Sequence, residues 1–238
     1  MVKKTNSFIY ELRKLVTIPE PELNSLNMLE WCSLAQQMEK CPHCENELDS
    51  ELDLIREKKV ALCFHLMMEI KDFSNSLGYP MYVRGGVGRS YIAYLMELSP
   101  FNPAKHFAYC PECEDLVENA EWGRDYQCPW CHKKMIIDGF GLDSFSDFDE
   151  ENSPAYEITV AKEVKEKIID YLNETFYYFQ IDKEQASALL DLLPTDERLS
   201  KITKKVEEVS VFHLGACENG LDYNELMNMY IDKIAEES

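Results

Sequence analysis

Tyr79-Pro80-Met81-Tyr82-Val83-Arg84-Gly85-Gly86-Val87-Gly88-Arg89-Ser90-Tyr91-Ile92 decides how the rest of this chain is read. Tyr79 to Val83 is short and β-favouring, three glycines follow within four positions, and a helix is expected from about Ser90. A strand, a glycine turn and a helix in that order make a layout that can cradle a phosphate. The loop's backbone N–H groups and the helix N-terminus behind them favour an anion. Arg84 and Arg89 would add charge-assisted contacts. The candidate phosphate-binding residues are therefore Arg84, Gly85, Gly86, Gly88, Arg89 and Ser90. The pattern fits neither the Walker A loop nor the dinucleotide fingerprint, and a tight structural turn accounts for the same residues.

Helical stripes surround this stretch. Leu62, Leu66, Ile70 and Phe73 recur at helical spacing and predict one helix over 51–76. After the loop, Tyr91, Ile92, Leu95 and Met96 form the buried side of a second helix that Pro100 and Pro103 would stop. Val160, Val164, Ile168, Tyr171, Leu172, Phe176 and Phe179 form a third stripe, and Leu199, Ile202, Val206 and Val209 a fourth. Asp182 with Gln185 reads as a capping box of a helix ending by Pro194. Asp222 with Glu225 opens a last helix containing Leu226, Met227, Tyr230, Ile231 and Ile234.

Downstream of the loop lie two C-P-x-C knuckles, Cys110-Pro111-Glu112-Cys113 and Cys128-Pro129-Trp130-Cys131. Each C-x-x-C turn aims two thiolates at one point, and two turns complete a tetrahedron around zinc. With four protein ligands no position remains for water, so Cys110, Cys113, Cys128 and Cys131 predict a structural zinc rather than a catalytic one. The isolated Cys41-Pro42-His43-Cys44 lacks nearby partners. His213 and Cys217, spaced i and i+4, are candidates to complete a second site with Cys41 and Cys44, and Cys63, His65 and His43 are rivals. An ordinary turn with unligated thiols also accounts for these residues.

Composition narrows the classes of function. The net charge is −20, from 24 basic and 44 acidic residues, which argues against a general duplex DNA binder. The glycine loop is an exception, because Tyr79 to Tyr109 sets Arg84, Arg89 and Lys105 against Glu97 alone. No apolar run approaches a membrane span. Lys3 and Lys4 are not followed by an apolar block with a cleavage site, so no secretion signal is expected and a cytoplasmic location is. In a reducing compartment the C-x-x-C spacings indicate metal rather than disulfides.

Taken in order, the loop, the helix and the knuckles resemble a known family, the α subunit of bacterial DNA polymerase III, in particular its PolC type. That family carries R-G-S-V-G-S-S, a helix, N-P-x-x-x-H-Y and a zinc module with two C-P-x-C knuckles. The counterparts here are Arg84 to Ser90, Asn102-Pro103, His106-Phe107 and Cys110 to Cys113. The resemblance covers roughly residues 51–160. It implies a mixed α/β fold, a reduced polymerase-palm-like core with an inserted four-Cys zinc module at 107–137. A helical and turn segment over 1–50 and a mainly helical region over 161–238 flank it. It also implies that the loop touches a nucleotide's triphosphate, although Gly86 and Arg89 replace family serines.

The same resemblance locates a departure. The family follows its zinc module with D-G, E-T-F and then P-D-I-D-L-N-F, whose aspartates hold catalytic magnesium. Here Asp138-Gly139 and Asp143-Ser144-Phe145 correspond, and counting on without a gap places Ala155 and Glu157 at the two aspartates. Alanine ligates no metal. A shifted alignment would recruit Asp147 and Asp149 instead, leaving a residual metal-dependent phosphoryl-transfer enzyme as one reading. A chain of 238 residues also leaves no room for the family's fingers, thumb and nuclease regions. Polymerisation by this chain, and bound magnesium, are not expected. The leading expectation is a non-catalytic interaction or regulatory protein, inhibitory in a mobile-element setting, with a protein partner in the replication machinery. A nucleotide- or DNA-end-binding module is the alternative.

Overall fold

The computed structural model describes residues 7–16, 45–58, 60–102, 107–110, 112–113, 115–118, 120, 124–138, 156–176, 178–202 and 223–237. Helix α1 (Phe8–Arg13) is capped by Ser7, whose hydroxyl accepts the Tyr10 N–H, and it buries Phe8, Ile9 and Leu12. The expected helix over 51–76 is two helices, α2 (Glu45–Glu57) and α3 (Ala61–Ser76). The Val60 amide reaches back to the Ile55 carbonyl and closes α2 there. The break turns α3 into the core, where Leu62, Phe64, Leu66, Met67 and Ile70 are all buried. Phe73, assigned to the same stripe, is partly buried and stacks on Tyr171 with ring centroids 4.1 Å apart.

Strand β1 (Tyr82–Arg84) leads through Gly85 into a 3-10 turn, Gly86–Arg89, and then into helix α4 (Tyr91–Leu95). Ser90 caps α4 by accepting the Ala93 N–H, and Tyr91, Ile92, Leu95 and Met96 are buried as their spacing predicts. The prolines do not end this helix. Glu97 turns into the left-handed region at φ 55°, and the Leu98 and Ser99 amides both return to the Ala93 carbonyl. The chain is thus reversed before Pro100 is reached.

Strands β2 (Phe107–Cys110), β3 (Asp115–Glu118) and β4 (Ile136–Asp138) form an antiparallel sheet in the order β3-β2-β4. Strand β5 (Glu157–Thr159) pairs antiparallel with β1, setting Tyr82 opposite Thr159, Val83 opposite Ile158 and Arg84 opposite Glu157. Val160 continues this edge by a parallel bridge to Thr195, which draws Asp196 alongside β5.

The stripe over 160–179 is not one helix. Val164 lies in α5 (Lys162–Lys165), Ile168, Tyr171 and Leu172 lie in α6 (Ile168–Thr175), and Phe176 and Phe179 follow in irregular backbone. Its apolar residues still face the main core, so burial was legible where helix continuity was not. Helix α7 (Lys183–Asp191) has the expected capping box, with Asp182 and Gln185 each bonded to the other's backbone amide. A short 3-10 turn occupies Leu199–Lys201.

The last described element is α8 (Tyr223–Glu237). Tyr223, Leu226, Met227, Tyr230, Ile231 and Ile234 are buried, the i, i+3, i+4, i+7, i+8 face of an amphipathic helix. That face lies on β1 and the glycine loop. Tyr230 meets Tyr82 and Phe101 edge-on, each at 5.5 Å between ring centroids. Gly88 lies directly beneath Tyr223, and a Cβ added there would fall inside the tyrosine ring. The whole is a mixed α/β fold with one main core and a second, small apolar cluster in the cysteine module. Among the described residues, no helix is long and apolar enough to cross a membrane.

Gly88→Ala is expected to destabilise the protein by roughly 1–3 kcal/mol, because either α8 or the loop must move to admit the methyl group. Urea denaturation of the two proteins checks this, and an unchanged midpoint contradicts the close approach of Tyr223.

Candidate functional site

The glycine loop begins at Gly85, whose φ of 78° and ψ of −167° belong to a region that only glycine occupies without strain. This conformation turns the Gly85 N–H outward, and Asn224 Oδ1 on the first turn of α8 accepts it at 2.9 Å. Arg84, at the end of β1, donates through Nε to Thr159 Oγ1 at 2.9 Å and through Nη2 to Asn228 Oδ1 at 3.0 Å. Asp196 approaches Arg84 to 3.7 Å and also takes the fork of Arg198. The hydrogen bonds from Arg198, with Arg84 beside it, hold the Asp196 carboxyl below its ordinary range. Arg198 donates in addition to Asp232 on α8 at 2.7 Å. Two arginines and two carboxylates thus clamp α8 onto the strand that carries the loop.

Further along, the Gly88 and Ser90 amides close the turn on the Gly85 and Val87 carbonyls. The N-terminus of α4 is already occupied by a carboxyl group. Glu51, from α2, is buried and accepts the Tyr91 N–H through Oε1 and the Ile92 N–H through Oε2, both at 2.9 Å. Burial pushes its carboxyl up to about 7, against the lowering effect of the two amides. Arg84, Gly85, Gly88 and Ser90 therefore occupy one continuous turn, as the sequence indicates, with Gly86 and Arg89 at the ends of its 3-10 segment. Glu157 lies across the β1–β5 pair from Arg84. Asp147, Asp149 and Ala155 lie outside the described residues.

Sequence reading missed the groups that fill the loop: Glu51, Asn224, Asn228 and Tyr223. Glu51 carries a signal in retrospect. Leu48, Leu52 and Ile55 are the buried face of α2, and Glu51 is a charged residue on that same face. The two asparagines, spaced i and i+4, carry no comparable mark.

The second centre is the cysteine module. Cys110 ends β2, and Cys128 and Cys131 flank a tight knuckle in which the His132 amide bonds the Cys128 carbonyl and the Cys128 amide bonds the Lys133 carbonyl. The Sγ atoms of Cys110, Cys113, Cys128 and Cys131 all lie within 4.8 Å of one another, with Cys110 and Cys131 at 3.5 Å. Four thiolates about 2.3 Å from a tetrahedral zinc stand roughly 3.8 Å apart, so the cluster fits that ion. Burial raises the Cys128 thiol, but the amides of Cys131 and Trp130 and the neighbouring thiols bring it down to about 7. Among the described residues the apolar cluster beneath holds Ala108, Cys110, Ala120, Cys128 and Met135, with Val117 and Tyr126 packed against it. So small a cluster needs a metal or another cross-link to hold its shape. Cys41, Cys44, His213 and Cys217, the candidate second site, lie outside the described residues, as does His43. Cys63 is buried in the main core under α1, and burial pushes its thiol up to about 11.

Two outcomes are expected. Metal analysis of the native protein should give about one zinc per chain, and Cys128→Ser should lose it together with the near-ultraviolet signal of the module; retention of zinc by that variant contradicts the four-thiolate centre. Glu51 makes stability pH-dependent. The folded chain holds its proton more tightly than the unfolded chain, so its contribution is complete below about 4.5 and is lost as pH rises through about 7. The stability advantage of the native protein over Glu51→Gln should therefore shrink by up to about 3 kcal/mol between pH 4.5 and 8, measured by urea denaturation. A constant difference excludes it.

Comparison with known proteins agrees with the motif succession. A family profile described as the bacterial DNA polymerase III alpha NTPase domain matches residues 22–192. Among curated proteins, the PolC-type DNA polymerase III of Thermotoga maritima is 28% identical over 141 residues, covering 56% of this chain and 10% of that protein. The PolC-type enzyme of Mycoplasma genitalium is 27% identical over 146 residues, with the same coverage of 56% and 10%. That of Lactococcus lactis is 28% identical over 116 residues, 45% of this chain and 7% of that one. The alignments thus span about a tenth of the length of these relatives. Helices α2 to α7, the glycine loop and the four cysteines fall inside the family match, and α8 lies beyond it. The chain belongs to the bacterial DNA polymerase III alpha NTPase domain family.

Proposed function

We propose that this protein is a non-catalytic, zinc-containing relative of a polymerase III alpha palm segment that works through protein contacts. It acts as a regulatory or inhibitory partner of a replication enzyme. In this reading β1, the Arg84–Ser90 loop, α4 and β5 are a reduced palm core, and the cysteine module is its structural insert. The observation that carries the reading is the filling of the loop by the chain itself. Asn224 takes the Gly85 amide, Glu51 takes the first amides of α4, and Tyr223 covers Gly88. A loop closed in this way is scaffold.

Two further points support it. The ungapped alignment puts Ala155 where the family has a magnesium-holding aspartate, and an alanine offers no ligand for a two-metal phosphoryl transfer. The net charge of −20 suits a partner with a basic, nucleic-acid-handling surface, to which an acidic protein is drawn electrostatically.

One observation favours a second reading, a nucleotide- or DNA-end-binding module. The Gly85 N–H and the Arg84 guanidinium both already hold side-chain oxygen acceptors, side by side. That pairing is the donor arrangement a phosphate oxygen would also satisfy.

Primer extension by a PolC-type polymerase, with the zinc-loaded protein added in increasing amounts, distinguishes the two. The interaction reading expects a saturable change in extension rate, and a calorimetric titration of the protein with dNTP and magnesium that shows no binding. Unaltered extension, together with dNTP binding that Arg84→Ala removes, overturns it in favour of the nucleotide reading.

A further inference from the structure

Helix α8 lies outside the family match, yet it covers the family's loop through Tyr223 and Asn224. Its first two turns place three polar side chains on β1 and the loop. Asn224 Oδ1 accepts the Gly85 N–H at 2.9 Å, and Asn228 Oδ1 accepts from Arg84 at 3.0 Å. The Tyr223 hydroxyl donates to the Val83 carbonyl at 3.2 Å and lies 3.1 Å from Ser99 Oγ. The two asparagine oxygens are neutral acceptors: Asn224 takes one backbone N–H, and Asn228 takes the Arg84 guanidinium together with that of Arg198 at 3.2 Å. They satisfy those donors without supplying the negative charge that a guanidinium beside a glycine turn favours most.

The remaining attachments of α8 fall into two kinds. Its apolar face is buried, which fixes the body of the helix. Its polar ties are the hydrogen bonds just described and the Arg198–Asp232 ion pair one turn further on. A ligand that offered charged oxygens to the same donors would exchange neutral acceptors for ionic ones. Arg84 is the natural focus, since its side chain retains partial exposure (18%) and is already approached by Asp196 at 3.7 Å.

We infer that the first two turns of α8 are an intramolecular stopper, occupying in cis the donors through which the loop would otherwise bind a phosphate-class anion, and that anion binding and seating of α8 exclude each other. This inference rests on the second reading of the loop given above, not on the partner proposal. The exclusion is reciprocal: whatever loosens Asn224 and Asn228 raises affinity for the anion, and the anion loosens them by the same factor.

The test uses the zinc-loaded 238-residue chain and inorganic tripolyphosphate as the probe. Asn224→Ala with Asn228→Ala should gain saturable tripolyphosphate binding at least about tenfold tighter than the native protein, a gain that Arg84→Ala abolishes. Asn224→Asp, which keeps an acceptor on Gly85 and adds charge facing Arg84, should bind no better than native. Hydrogen exchange supplies a reading that needs no substitution: in the native protein, saturating tripolyphosphate should speed exchange over 223–229 while slowing it over 83–90. Native protein that binds the probe as tightly as the double variant, with α8 still protected, overturns the stopper and leaves the loop reading standing. A folded double variant with faster loop exchange and no gain in binding overturns both.

Discussion

Asn224 meets Gly85 at a point where neither side has much freedom. The glycine is held at a φ/ψ combination that only glycine adopts without strain, which fixes the direction of its N–H. Three residues on, Gly88 leaves no room above it except for a flat ring. Together these fix where the first turn of α8 can sit. The rest follows from that seat: Tyr230 reaches Tyr82 and Phe101, Asn228 reaches Arg84, and Asp232 meets Arg198, which already holds Asp196. Strand β1 is only three residues long and has one strand partner, too little for a stable sheet by itself. It is α8 on one side and the α3 core on the other that make it a fixed platform.

Much of this was legible in the residues, unevenly so. The four cysteines were readable because thiolate spacing is a direct statement of ligand geometry, and their sulfurs do converge. The capping box at Asp182 was readable because capping is local, decided within four residues. Burial along the 160–179 stripe was readable too, but its division into α5 and α6 was not, since the same apolar period suits one helix or two with a common face. The break between α2 and α3 left no proline or glycine to mark it. It arises because α3 must be covered on several sides, which is a tertiary demand.

The loop shows a different limit. Its sequence describes what it can hold, and the Gly85 amide and the Arg84 guanidinium do each hold an oxygen. What holds them is decided by residues far away in the chain, Glu51 on one flank and Asn224 on the other. No local pattern announces such a partner. A glycine turn and an anion site are the same sequence until something else in the fold claims its amides.

The contact between Gly85 and Asn224 spans 139 positions. During synthesis the chain grows from its N-terminus, so β1, the loop and α4 leave the ribosome long before residue 224 exists. Contacts this distant also form late in free refolding, because the loop-closure entropy must be met first. Every newly made molecule therefore passes through a period in which the glycine turn has emerged and α8 has not. Its donors then face water and whatever anions the surroundings contain. The age of the polypeptide, counted from the emergence of α8, becomes a variable in its chemistry.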